Sequence, residues 1–182
     1  MTTSSSKLAA WLSAQGLPLS EKALKLRATV DPQIEPFRSK YEALEIYSSL
    51  LKSLEETIAT EEPSDRVHLL ALGLHSEAAF TSIDVEDMPA AERSLQAAIE
   101  VVVERLKLPF LVNAFDSNDE ASGPGEGGGG AGGDTVEGKV HISLALMLIQ
   151  LYNLLGFLKS MKLNFAGSVA FFQEAEKLFI AW

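Results

Sequence analysis

The 182-residue chain has no cysteine. That excludes disulfides, thiolate catalysis and cysteine-ligated zinc, and it fits a reducing compartment. Basic residues are scarce: 15 Lys and Arg stand against 25 Asp and Glu, a formal net charge of −10. So negative a chain is a poor partner for nucleic acid or anionic lipid, which clustered Lys and Arg recognise. Histidine is limited to His68, His75 and His141. His68 and His75 share nearly one helix face but lack a third ligand at helical spacing, so a metal site is not expected and both read as polar tips on a half-buried face. From Met1 to Gly16 there is one Lys, no Arg and no sustained apolar run, which argues against a secretory or mitochondrial signal. What the chain does have is 47% hydrophobic residues, enough for one domain with a real core or for two small ones.

Charge and glycine are unevenly placed. Residues 1–108 carry 11 basic and 17 acidic groups, residues 109–138 carry six acidic and no basic ones, and residues 139–182 carry four basic and two acidic. Nine of the 13 glycines lie between Gly123 and Gly138. A segment so rich in glycine and acid buries too little apolar surface to offset its ordering entropy, so 116–136 reads as a disordered linker. The expected organisation is a disordered N-terminus over 1–19, N-terminal helices over 20–115, the acidic linker over 116–136, and a helix pair over 137–182.

Apolar spacing points to helices throughout, with no alternating strand pattern. Leu44, Tyr47, Leu51, Leu54 and Ile58 form one stripe on a helix over 38–60, and the offset neighbours Ile46 and Leu50 widen it. A second helix over 64–82 carries Val67, Leu70, Leu74 and Ala78 on one face. Asp84, Glu86 and Asp87 crowd the next helix start, and Pro89 suits its first turn. That helix is expected to run to Leu108, where Pro109 ends it. Further helices are expected over 139–160 and 164–181, joined by a turn at Lys162 to Asn164. A shorter one begins after Ser20.

Consecutive helix pairs invite a search for repeats. Gly156, Ser168, Phe172 and Ala175 are separated by steps of 12, 4 and 3, as the tetratricopeptide (TPR) pattern requires. Ala79, Ala91, Leu95 and Ala98 show the same steps earlier in the chain. Small residues let the two helices of a pair approach, and large ones fill the groove between them. Lys159 and Ser82 stand where an aromatic is usual, and the turn prolines are missing. The fold class expected is all-α, with antiparallel helix pairs stacked as a TPR-like right-handed superhelix (an α-solenoid) that the Gly-rich acidic loop interrupts.

Chemical motifs fail on context. Gly123-Pro124-Gly125-Glu126-Gly127-Gly128 spells a dinucleotide fingerprint but has no strand before it and no helix opening from it. Gly133 with Gly138-Lys139 approximates a phosphate loop, yet Val140 replaces the Ser or Thr that would hold magnesium. Asp116, Asn118 and Glu120 begin like a calcium loop, but Ala121 and Gly127 replace the required Gly and Glu. Glu55-Glu56 and Glu61-Glu62 read as solvated helix ends rather than an acid–base pair. No catalytic, cofactor-binding or metal-binding residue is expected, and no cofactor. From Val140 to Leu158 there is no Asp, Glu, Lys or Arg, and that run is long enough to span a membrane. Gln150 and Asn153 at mid-depth favour a helix buried among neighbours instead.

Three segments resemble the KIF-binding protein family, TPR-like regulators of kinesin motors. Glu35-Pro36-Phe37-Arg38-Ser39-Lys40-Tyr41-Glu42-Ala43 resembles the start of that family. Ile83-Asp84-Val85-Glu86-Asp87-Met88, followed by Ala90, Glu92 and Leu95, resembles a second segment, and Tyr152-Asn153-Leu154-Leu155-Gly156 through Glu174-Ala175 a third. The likeness runs from about residue 20 to the C-terminus and is to the N-terminal region of the family. The acidic linker departs from it, and the family's proteins are several times longer. With the apolar, uncapped end Leu178-Phe179-Ile180-Ala181-Trp182, that length difference leads us to expect a piece of a longer protein. The resemblance implies a non-catalytic, cytoplasmic, cytoskeleton-associated protein that binds kinesin motor domains and regulates their microtubule attachment. The contact residues do not carry over. The alternatives are a generic TPR-like adaptor for another protein and, behind it, a small helical membrane protein.

Overall fold

The computed structural model describes residues 5–58, 65–106 and 136–180. Every regular element among them is helical. The 116–136 linker, the glycine fingerprint and the calcium-like stretch lie outside the described residues, apart from Val136, which opens a helix. The chain divides into two compact units, Met1–Val101 and Val102–Trp182, so the boundary falls ahead of the expected linker.

The first unit begins with α1 (Ser5–Trp11), a π-helical stretch over Leu12–Gly16, and α2 (Leu17–Arg27). From Ser5 on, this corrects the expectation of a disordered segment over 1–19. The reason is one anchor that a composition count does not reveal. The Trp11 indole donates from Nε1 to Ser53 Oγ at 2.8 Å, and its ring lies so close over Gly16 that a Cβ there would sit 2.7 Å from it. A wide π-turn beneath an aromatic ring has no apolar period to read.

The link from α2 to α3 (Arg38–Ile58) is held by Asp31, whose Oδ2 accepts from the Ser39 amide at 2.9 Å and from its hydroxyl at 2.7 Å. On α3 the fully buried arc is Ala43, Tyr47, Leu50 and Leu54, an i, i+4, i+7, i+11 row facing its neighbours. Leu44 and Leu51 of the expected stripe lie at its edge and are half-buried. Ala23 and Ala43 are both fully buried, where α2 and α3 pack together. Arg27 ties the end of α2 to α4 (Asp65–Asp84): its guanidinium donates to Glu77 at 2.7 Å and to Asp84 at 3.1 Å, and lies 5.5 Å from the Phe80 ring centroid.

Helix α4 packs against both α3 and α5 (Met88–Glu100). It is therefore buried on more sides than the single expected face: Val67, His68, Ala71, Leu72, Leu74, Ser76, Ala78, Ala79, Thr81 and Ser82 are all buried. Ser76 and Thr81 return their hydroxyls to carbonyls four residues back, at 2.8 and 2.7 Å, which satisfies them inside the helix. Helix α5 continues into a π-helical stretch over Val101–Leu106. Pro109 lies outside the described residues.

In the second unit, α6 (Val136–Met161) pairs with α7 (Phe165–Ile180). Gly138 and Lys139 lie inside α6 rather than in a loop before it, so the phosphate-loop reading loses its geometry. Leu144, Leu148, Leu151, Leu155 and Leu158 line the buried side of α6. Its Ser143–Met161 stretch, with mean hydropathy 1.4, is long and apolar enough to cross a membrane by length and composition.

The pairs α4–α5 and α6–α7 are joined by the same turn. The Asp87 amide donates to Ser82 O at 2.8 Å, and the Asn164 amide to Lys159 O at 2.9 Å. Glu86 N reaches Ile83 O at 3.0 Å, and Leu163 N reaches Ser160 O at 2.9 Å. These are the two bonds of a Schellman motif. The same residue that closes one helix then caps the next: Asp87 Oδ1 accepts from Ala90 N, and Asn164 Oδ1 from Gly167 N, both at 3.0 Å. The left-handed position is Glu86 (φ 62°) in one turn and Leu163 (φ 59°) in the other, where glycine fits without steric cost. Leu163 is 75% exposed, so glycine there gives up little packing. Leu163→Gly and Glu86→Gly are each expected to stabilise the chain by about 1 kcal/mol, a rise of about 2–4 °C in Tm by calorimetry.

Candidate functional site

Helices α3, α4 and α5 of the first unit enclose an open groove of about 470 Å3. Leu44, Ser48 and Leu51 form one wall, His75, Ala78 and Ser82 the floor, and Ala90, Ser94 and Ala97 the other wall. Helix spacing explains this set. Leu44, Ser48 and Leu51 follow one i, i+4, i+7 row beside the buried arc of α3. Ala90, Ser94 and Ala97 make a matching row on α5. Most of these side chains are small, so a guest backbone can come close and place its large side chains in the groove. Asp87 and Arg93 also line it, giving charges of both signs for orienting that guest.

The titratable side chains that line the groove are His75, Asp87 and Arg93. Among the described residues no group of three His, Cys, Asp or Glu side chains could hold a metal ion. His75 lies in the groove while His68 is buried at 7% exposure, so their common helix face does not bring them to one site. The side chain of His141 lies outside the described residues, as do Glu61 and Glu62. Glu55 and Glu56 are exposed at the end of α3. The Tyr47 phenol is fully buried. Burial, reinforced by the charge of Glu77, pushes its pKa up to about 12. Burial, with Glu174 adding to it, does the same to Tyr152. Both phenols therefore stay protonated at neutral pH and supply no base.

Two further surfaces expose large apolar side chains. The first is the link between α2 and α3, where Val30 and Ile34 are each 93% exposed on a backbone pinned by Asp31. The second is the outer side of the α6–α7 pair, where Phe157, Val169 and Phe179 are exposed. Spacing identifies a helix's apolar face without saying whether another element covers it, so of these residues only Phe179, in the apolar end of the chain, stands out in the sequence. The three segments of resemblance fall at a helix start (35–43), at the Schellman turn and cap (83–88), and over the end of α6, its turn and most of α7 (152–175). They are positions of architecture. Of the groove residues, Asp87 belongs to the second segment, and Leu44, Ser82 and Ala90 lie beside the first two.

Comparison with protein-family models, with curated proteins and with solved structures finds no match to the chain.

Proposed function

We propose that the chain is a non-catalytic helical-repeat protein whose helix pairs stack as a TPR-like superhelix, and that its first unit binds the motor domains of kinesins and restrains their attachment to microtubules. The groove across α3, α4 and α5 is the observation that carries the binding part of this reading. It is open, lined by small and apolar side chains with one carboxylate and one guanidinium, and suited to a helix or loop bearing large side chains. The recurrence of one turn, one cap and one spacing of small residues in both helix pairs supports a repeat. The choice of partner rests on the likeness of residues 35–43, 83–88 and 152–175 to the KIF-binding protein family. Charge agrees with it. Residues 1–108 hold 17 acidic and 11 basic groups, and a motor surface built to meet acidic tubulin is attracted by an acidic helical face.

Purified motor domains titrated against the chain test the proposal. Affinity is expected to fall at least about threefold between about 50 and 200 mM salt, because screening shortens the reach of the steering charges. Absence of binding to every motor domain tried would overturn the choice of partner, and salt-independent affinity would overturn the electrostatic part. A peptide from another protein seated in the same groove would return the function to a general adaptor.

A further inference from the structure

Of the 15 large apolar side chains exposed among the described residues, nine belong to the α6–α7 pair and its turn. They are not scattered. Leu146 and Phe157 continue the helical row of Ile149 and Asn153 on α6, and Phe165 continues the row of Val169, Phe172 and Phe179 on α7. The two rows flank one shallow groove of about 490 Å3. Leu146, Phe157, Phe165, Val169, Phe172 and Phe179 each expose between 41% and 69% of their surface. At about 150–250 Å2 for a large aromatic side chain, and less for Leu and Val, the six together present on the order of 600 Å2 of apolar surface. A soluble monomer's largest apolar patch is about 300–600 Å2. Two such faces would bring together roughly 1,200 Å2, above the about 1,000 Å2 in total that a specific interface needs.

The internal repeat says what kind of surface this is. In the register that aligns Gly156 with Ala79, the residues Ile149, Asn153 and Phe172 correspond to Leu72, Ser76 and Leu95. Those three are 2%, 2% and 0% exposed. At these places the α4–α5 pair is buried, while on the α6–α7 pair Asn153 and Phe172 are exposed and Ile149 is half-buried; Leu146 and its counterpart Leu69 are exposed in both. The open face carries no Lys or Arg in its groove and one carboxylate, Glu176, so two copies of it can meet without strong repulsion. Asn153 and Gln173 amides can donate to the Glu176 carboxylate of the other copy. A lipid surface would leave those three polar groups without such partners.

We propose that this face joins two copies of the chain, α6–α7 pair against α6–α7 pair, as an isologous four-helix bundle. The inference is independent of which protein occupies the groove of the first unit. Light scattering on the whole chain from about 1 to 100 µM tests it. The expected mass is twice the 19.6 kDa of the chain. Val169→Glu with Phe179→Glu, both at exposed positions, is expected to give the single-chain mass with helical content unchanged. Ile34→Glu, at a highly exposed position of the first unit, is expected to leave the doubled mass in place. A single-chain mass at about 100 µM for the unaltered protein would overturn the proposal. So would a doubled mass that survives the Val169/Phe179 change or disappears with Ile34→Glu. A single-chain mass together with flotation on phosphatidylcholine vesicles would also overturn it, and would assign the face to lipid.

Discussion

Leu95→Ala is expected to cost about 3 kcal/mol and to lower Tm by about 6–12 °C, whereas Phe172→Ala at the same place in the second helix pair should cost clearly less. Leu95 is fully buried on α5 and Phe172 is 41% exposed on α7. Removing Leu95 loses both its transfer from water and the contacts around the cavity left behind. Removing Phe172 withdraws a ring already partly in water. One packing function of that ring remains. It lies against Gly156, where a Cβ would come within 2.8 Å of it, so it still fills the space that the glycine opens between α6 and α7. Thermal unfolding of the two variants side by side checks the difference. Equal losses would mean that the two positions are buried alike, contrary to the structure.

Ala97→Trp should weaken partner binding by at least about tenfold while leaving thermal stability within about 1 kcal/mol of the parent chain. Ala97 stands on the α5 wall of the first unit's groove, in one row with Ala90 and Ser94. It is half-buried, so an indole there can turn into the groove without displacing the core beneath. An unchanged affinity would place the partner elsewhere on the molecule. A fall in affinity accompanied by a large fall in Tm would mean damage to the helix packing instead. Far-ultraviolet circular dichroism on the same samples separates those two results. Ile34→Trp on the exposed α2–α3 link is expected to leave binding within about twofold.

The helix pairs were legible in the sequence because their determinants are local. Asp87 followed by Pro89 marks a helix start, and the structure adds that the same residue closes the helix before it. The steps between Ala79, Ala91, Leu95 and Ala98 recur at Gly156, Ser168, Phe172 and Ala175, and the two turns between them share one hydrogen-bond pattern. Small residues at 79, 91 and 98, and at 156, 168 and 175, are buried in both pairs. What failed depended on distant neighbours. The N-terminal helix is anchored through Trp11 to Ser53, far along the chain. The stripe on α3 was shifted by a fraction of a turn, placing Leu44 and Leu51 at the groove instead of in the core. The groove itself was not legible at all, since its small Ala and Ser side chains carry no signal until three helices bring them together.

Six of the chain's negative charges belong to residues 109–138, most of which lie outside the described residues. Any electrostatic steering of a partner therefore rests on the helices of the first unit. Arg27 ties up Glu77 and Asp84 there, and Lys22 reaches Glu42 at 2.8 Å. Exposed pairs of that last kind contribute little to stability, yet they remove acidic groups from those that can steer a partner. Asp87, beside the groove, already accepts from the Ala90 amide as a helix cap.

Co-sedimentation of a kinesin motor domain with microtubules, in the presence and absence of the chain, tests the functional reading most directly. With the chain in excess, most of the motor is expected to move from the pellet to the supernatant, together with the chain, and the Ala97→Trp variant should leave it in the pellet. A motor that stays on the microtubules at saturating concentrations of the unaltered chain would contradict the proposed function.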